Sequence, residues 1–318
     1  MKKAIITGGT GFVAGHLANS LINKGYTVIG TTRNCCPELH FKETFEILKI
    51  NYDDVDAWKR LLDNFRPDEI YHLAGQSSVS ESWKAKVSTI NANLVNTINI
   101  LEAIRQSEVW ESVKILTVGS SEEYGHINDL NAITERTPLQ PISPYGISKA
   151  SVSMLARQYS KVYKLNIIHA RPFNHIGPGQ SLGFITSDFA KQIISIEKGL
   201  QAPIINVGNL EAQRDFTDVR DIVEAYVRLM EGGIPGEVYN VCSGQPKSAQ
   251  SILDSLIEVS CVSNGIEILR DETKLRPSDY PCYFGDYSKL KQETGWEPRI
   301  TLTESLKDIL DYWRTHIK

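Results

Sequence analysis

Residues 2–34 read KKAIITGGTGFVAGHLANSLINKGYTVIGTTRN. A β-rich apolar run, Lys3–Thr7, ends in Gly8, Gly9 and Gly11, and helical spacing opens at once. Glycines at such a bend let the chain turn sharply and let another group approach the backbone. A helix starting there offers unpaired N–H groups and the positive end of its dipole, a seat for a pyrophosphate. Ala14 or Gly15 takes the third small position, where close helix–strand packing is needed. A second strand follows at Tyr26–Thr32. Strand, glycine bend, helix and strand together predict a dinucleotide-binding unit rather than an isolated turn.

Outward from this unit, β-rich runs recur at Phe45–Ile50, Glu69–Ala74, Val113–Val118 and Asn166–Arg171. Between them lie stretches of helical period, such as Val87, Ile90, Leu94, Ile98 and Leu101. This alternation predicts an α/β fold: a Rossmann-type, doubly wound parallel sheet with helices on both faces. The second half is less regular. Glycine and proline cluster at Gly177–Gly183, short strands read at Pro203–Val207 and Glu237–Val241, and helices near Ala249–Val259 and Leu302–Tyr312. We expect residues 1–172 to form the dinucleotide-binding domain, with returning segments near 212–240. Residues 173–318 should form mainly a smaller substrate-binding lobe.

With 318 residues, 41% apolar and 23% charged, the chain has an ordinary globular composition that can bury a sizeable core. A net charge of −4 argues against nucleic acid as the partner, so any anion site must be built locally. No apolar run is long enough to span a bilayer, and no signal-peptide h-region follows Met1–Gly9. The five cysteines, Cys35, Cys36, Cys242, Cys261 and Cys282, suit neither a disulfide framework nor a zinc site. A cytoplasmic enzyme with reduced thiols and no metal is expected.

The second strand ends at Arg33, where an acid would ordinarily read a ribose 2′-hydroxyl; a guanidinium suits a 2′-phosphate instead. NADP(H) is therefore favoured as cofactor, with NAD(H) left open. The fifth β-run leads into GSSEEYG (119–125), and SPYGISK (143–149) follows. Tyr145 and Lys149 stand four apart, on one face of a helix. An ammonium beside a phenol is expected to lower its pKa and make it a usable acid near neutral pH. A serine hydroxyl can hold the same substrate oxygen.

With these motifs in place, the chain resembles the extended short-chain dehydrogenase/reductase family. The resemblance rests on TGGTGFVAGHL, YHLAGQSSV, NANLVNTINILEA, GSSEEYG, PYGISK, RPFNHIGPGQ and EAQRDFTDVRD, which run in the family's order over nearly the whole chain. The longer strings SWKAK, RPFNHIGPGQSLGF, VGNLEAQRDFTDVRDIV, EVYNVCSG and LRPSDYP are similar to those of enzymes acting on GDP-6-deoxymannose sugars. The resemblance implies Ser120, Tyr145 and Lys149 as the catalytic set, with Ser120 on the sugar C4 oxygen, Tyr145 as general acid, and Lys149 on the nicotinamide ribose. It places Gly8, Gly11 and Phe12 along the pyrophosphate, Arg33 at the adenosine ribose, and Leu73, Ala74 and Gln76 along the cofactor. Ser78, Glu122 and Asn174 are expected on the substrate side. Arg214 and Arg276 should clamp the nucleotide diphosphate, supported by Lys191, and Asp279 should lie near the nucleotide ribose.

Three departures stand out. Gly75 replaces the family's usual alanine, and Asn96 a common glycine. Asn51-Tyr52 stands where relatives carry an aspartate, which reads adenine, and an aliphatic residue. Asn51 can accept the same hydrogen bond, so both residues are kept with the cofactor set.

The implied activity is reduction of the 4-keto group of GDP-4-keto-6-deoxy-D-mannose with NAD(P)H, giving GDP-D-rhamnose. Two alternatives stay open. Glu122 is the extra acid/base that a GDP-mannose 4,6-dehydratase needs, and hydride delivery from the other face would give GDP-6-deoxy-D-talose. His72 reads as a packed core histidine, Asp218 and Asp221 as helix-start residues, and Cys242 as a buried, inert thiol. Apolar stripes at Val87–Ile104 and Tyr145–Tyr163 are where the family forms a four-helix homodimer interface; the stripes alone equally allow both to face the monomer's own sheet.

Overall fold

A computed structural model describes residues 1–33, 45–127, 131–262, 265–274 and 281–317. In β1 (Lys3–Thr7), Ala4, Ile5 and Ile6 are fully covered. A strand that is apolar on both faces needs helices above and below it. α1 (Phe12–Asn23) leads to β2 (Thr27–Thr32) on one side of β1. After β3 (Glu46–Lys49) and α2 (Val55–Phe65), the chain crosses to β4 (Glu69–His72) on the other side. α3 (Val79–Lys84), α4 (Lys86–Ile90), one π-helical turn (Asn91–Val95) and α5 (Asn96–Gln106) run on to β5 (Lys114–Val118). α6 (Pro144–Tyr163) then leads to β6 (Asn166–Pro172).

The second half holds β7 (Asn174–Ile176), α7 (Ile185–Glu197), β8 (Ile204–Val207), β9 (Gln213–Asp218), α8 (Val219–Gly232) and β10 (Val238–Val241). Next come β11 (Pro246–Ser248), α9 (Ala249–Glu258), β12 (Glu267–Arg270), β13 (Cys282–Tyr283), α10 (Ser288–Thr294) and α11 (Leu302–His316).

The main sheet has seven strands in the order β10-β6-β5-β4-β1-β2-β3, every pair parallel. This is the doubly wound α/β fold expected from the strand–helix alternation. Leu17 and Leu21 of α1 pack with Ile222, Tyr226 and Met230 of α8 on one face. Trp58 and Leu62 of α2, Ile100, Leu101 and Ile104 of α5 and Ala156 of α6 cover the other. Strand order reverses between β1 and β4, which opens a crevice at the carboxyl ends of the strands.

The remaining segments build a smaller lobe whose core joins Phe189 and Ile193 of α7, Ile252 and Leu256 of α9, and Leu306 and Ile309 of α11. β7, β9, β11 and β13 form a small mixed sheet, and β8 pairs with β12. The chain returns from this lobe to the main sheet: α8 packs on α1, and β10 pairs with β6.

The two acids at the start of α8 fasten these parts. Asp218 caps α8 and accepts from the Arg220 guanidinium and the Ser305 hydroxyl. Asp221 accepts the backbone N–H groups of Arg299 and Ile300, each at 2.9 Å. Cys242, Cys261 and Cys282 are free thiols, Cys242 fully buried, while Cys35 and Cys36 lie outside the described residues. Among the described residues, no helix is long and apolar enough to cross a membrane.

Candidate active site

The glycine bend is shaped by what lies behind it. Gly8 has φ 69°, and a Cβ on it would fall 3.0 Å from the Cα of Ala74. Gly11 caps α1 with no side chain, so the N–H groups of the first turn are left for a ligand. Tyr52 braces the bend from below: its hydroxyl accepts the Gly8 N–H at 3.0 Å and pairs with Thr31 Oγ1 at 2.7 Å. Its ring meets Trp58 edge-on at 5.1 Å. Asn51, by contrast, is exposed, and its Oδ1 accepts the Asp53 N–H at 3.1 Å.

In front of the bend lies a cleft of about 600 Å³. Gly8, Gly11, Phe12, Leu73 and Ala74 line it, together with Arg33 and Tyr52. Ser78, Ser120, Glu122, Tyr145, Lys149 and Asn174 line the same cleft. A backbone cradle too tight for side chains, open helix N–H groups and an apolar wall fit a nicotinamide dinucleotide.

Gln76 stands outside these walls. Its N–H donates to Asn93 Oδ1 and its Nε2 to the Ser78 carbonyl, both at 2.7 Å. Asn93, on the π-helical turn, donates from Nδ2 to the Gln76 carbonyl at 3.1 Å and to Ser148 Oγ at 2.8 Å. A Cβ at Gly75 would stand 2.7 Å from Asn93 Oδ1, so in this chain the departure from alanine has a steric reason. Lys191 on α7 and Arg214 on β9 belong to the smaller lobe and are not among the cleft walls. Arg276 and Asp279 lie outside the described residues.

Ser143 caps α6 and Pro144 opens it, which points Tyr145 and Lys149 inward one turn apart. Both are buried. Lys149 Nζ donates to the Val118 carbonyl at 2.8 Å, and burial brings its pKa down to about 8. Burial pushes the Tyr145 phenol well up; a hydrogen bond with Ser120 opposes this, and Glu122 and Glu123 add to it. The phenol is thus less acidic than the Tyr-Lys spacing suggests, because loss of solvent outweighs the Ser120 hydrogen bond and the amine does not offset it. A phenol that keeps its proton is a proton donor. His72 is a core residue: its ring nitrogens meet the Thr7 and Thr97 hydroxyls at 2.8 Å, and burial drives its pKa down to about 3.

Two further features surround the cleft, which His175 also lines. His175 stacks on Phe12 at 6.2 Å, and His16 Nε2 lies 2.9 Å from the Pro178 carbonyl, so the loop after β7 is tied to α1. Beneath Ser120, the buried Glu123 binds His169 and Arg171. The paired acids of GSSEEYG were the available signal, but only Glu122 was singled out.

The family described as GDP-mannose 4,6 dehydratase matches residues 5–309. The GDP-6-deoxy-D-mannose reductase of Pseudomonas aeruginosa is 33% identical over 318 residues, covering 100% of this chain and 99% of that protein. The human GDP-mannose 4,6 dehydratase is 28% identical, covering 96% of this chain and 90% of its own. Among solved structures, RMD from Pseudomonas aeruginosa complexed with NADPH superposes with a TM-score of 0.85 at 31% identity, covering 100% of both chains. The UDP-glucose 4-epimerase of Thermotoga maritima with UDP-glucose gives 0.88 at 26% identity, covering 99% of this chain and 100% of that one. The chain therefore belongs to the extended short-chain dehydrogenase/reductase family, within its GDP-mannose dehydratase group of NAD(P)-dependent oxidoreductases that modify nucleotide sugars.

Proposed function

We propose that this protein reduces the 4-keto group of GDP-4-keto-6-deoxy-D-mannose with NADPH, giving GDP-D-rhamnose. The observation that carries this reading is the buried Tyr145 phenol, hydrogen-bonded to Ser120 in the cleft that holds the glycine bend. A reduced nicotinamide, when bound, supplies the hydride. Ser120 orients the sugar C4 oxygen and stabilises the charge that develops there. Tyr145 gives that oxygen its proton, and Lys149 holds the nicotinamide ribose and assists proton return. Ser78, Glu122 and Asn174 contact the sugar. Lys191 and Arg214, with Arg276 and Asp279, take the GDP beyond the cleft, and that remote binding positions the ketone. Arg33 at the rim supports NADPH over NADH, as does the NADPH in the Pseudomonas aeruginosa RMD structure.

One observation favours a second reading. Glu122 lines the same cleft, where a dehydratase would need an acid/base to remove the C5 proton. The reductase stands first because the reductase relative is 33% identical and the human dehydratase 28%. Incubation of the keto sugar with NADPH or NADH decides between them. Loss of NADPH absorbance in step with a GDP-D-rhamnose NMR spectrum is the expected result. A GDP-6-deoxy-D-talose spectrum corrects the stereochemistry. Conversion of GDP-mannose with no net cofactor change shows the dehydratase.

A homodimer is part of this proposal. Val87 of α4 and Met154 and Val162 of α6 are 74%, 62% and 59% exposed, on helices that pack together. An apolar face of this kind marks an interface.

A further inference from the structure

Beneath Ser120 sits a carboxylate that the proposed reaction does not use. Glu123 is 0% exposed. One oxygen accepts the Ser120 backbone N–H at 3.0 Å and lies 3.1 Å from His169 Nε2. The other accepts from Arg171 Nε at 2.6 Å. Arg171 is buried too, and donates to the Tyr124 hydroxyl at 3.1 Å and to Ser153 Oγ at 2.8 Å. The second nitrogen of His169 meets Thr117 Oγ1 at 2.8 Å, and Tyr124 donates to Asn240 Oδ1 at 2.6 Å.

The backbone is shaped around this group. A Cβ at Gly119 would lie 1.8 Å from Glu123 Oε1 and 2.4 Å from His169 Nε2. A buried ion pair is a poor device for stability alone, since apolar side chains of similar size serve as well or better. What this pair does supply is an acceptor aimed at the backbone of Ser120 and a negative charge against Gly119, whose neighbour Val118 holds the Lys149 ammonium through its carbonyl.

The groups around Lys149 are Tyr145 on its own helix, His72 at the end of β4, His169 on β6, and Glu123 on the turn after β5, with Arg171 bound to Glu123. Burial keeps both histidines on the neutral side. Glu123 is the group that opposes the loss of the Lys149 proton.

We propose that Glu123 is a positioning residue of this site: its carboxylate fixes the Ser120 backbone and places a negative charge against Gly119, next to the Val118 carbonyl that holds the Lys149 ammonium. The Ser120 half rests on the ketoreductase reading; the Lys149 half needs only a bound cofactor.

The test uses the full-length protein and Glu123→Gln, which keeps an oxygen for the Ser120 N–H and removes the charge. NADPH affinity is titrated by nucleotide fluorescence from acid to alkaline pH, with no sugar present. In the parent, affinity falls as Lys149 loses its proton. In the variant, the midpoint of that fall should move down by about half a pH unit or more. With keto sugar, kcat should drop about 10-fold while the KM for NADPH below that midpoint stays nearly constant. The double variant Glu123→Leu/Arg171→Met replaces the pair by apolar side chains and keeps a foldable core; with both charges gone the midpoint should move less than in Glu123→Gln, while kcat still drops because the Ser120 N–H has lost its acceptor. An unmoved midpoint in Glu123→Gln, or an unchanged kcat in the double variant, overturns the proposal. If the parent reduces no keto sugar, the proposed function fails while the midpoint comparison still stands, so the two failures are told apart.

Discussion

The Lys149 ammonium donates to the Val118 carbonyl at 2.8 Å and stands 5.9 Å from the centre of the Tyr145 ring. The two side chains are buried next to each other, one an acid that burial keeps protonated, the other a base whose pKa burial brings down to about 8. Reduction of a ketone consumes a proton at the new alkoxide. A neutral phenol backed by an amine that exchanges protons near neutral pH is arranged to deliver it and be recharged.

Removing only the acid should separate binding from chemistry. Tyr145→Phe is expected to lower turnover of the keto sugar by about 10²–10⁴-fold. NADPH affinity should change little. Rates from NADPH absorbance and affinity from fluorescence titration check this, and retained turnover would remove Tyr145 from the acid role.

Lys149 also makes a prediction about stability. Its pKa of about 8 in the folded chain lies below the ordinary 10.5. Between those values the unfolded chain binds more protons than the folded one, so this group makes stability rise with pH through that window. Below about 8 the penalty of the buried ammonium is complete. Lys149→Met removes it, on the order of 3 kcal/mol at most. The variant should lose turnover yet unfold at no less urea than the parent at pH 7. Its advantage should shrink when urea unfolding is repeated near pH 10.

Tyr52 should act on the cofactor through the glycine bend. Tyr52→Phe leaves the Gly8 N–H without its acceptor, a loss of about 1–3 kcal/mol. NADPH affinity should weaken several-fold while the pH dependence of turnover stays as in the parent. Calorimetric titration with NADPH reads the first and a pH–rate profile the second.

Arg33 sits exposed at the rim of the cleft. Losing a charge-assisted contact to a 2′-phosphate should cost about 10- to 100-fold in NADPH affinity. Arg33→Ala should leave NADH affinity nearly constant. Equal losses for both nucleotides would show that the guanidinium does not read the 2′-phosphate.

The apolar face of α4 and α6 predicts an assembly. Sedimentation equilibrium should give a dimer mass for the parent. Met154→Glu/Val162→Glu should give a monomer, since charges in the middle of such a face lose their solvent. A parent that sediments as a monomer would refute the interface.

The main sheet was legible in the sequence because its causes are local. Each strand of the first half is a short β-rich run, and each crossover carries its own helical period. The bend at Gly8–Gly11 announces itself by lacking side chains where β1 meets α1. The small sheet of the second lobe was not legible: β7, β11 and β13 are two or three residues long and carry no period to read. They exist because β9 offers them a partner.

The candidate site divides in the same way. The Tyr145–Lys149 spacing is a property of one helix turn and could be read from residue types alone. The proton affinity of that phenol could not, because it depends on how completely strands, turns and loops from elsewhere in the chain exclude water from it. Likewise, Glu122 and Glu123 are equivalent as neighbouring letters. Only the packed fold turns one towards the cleft and buries the other against His169 and Arg171, because a charge can be buried only where distant segments bring its partners.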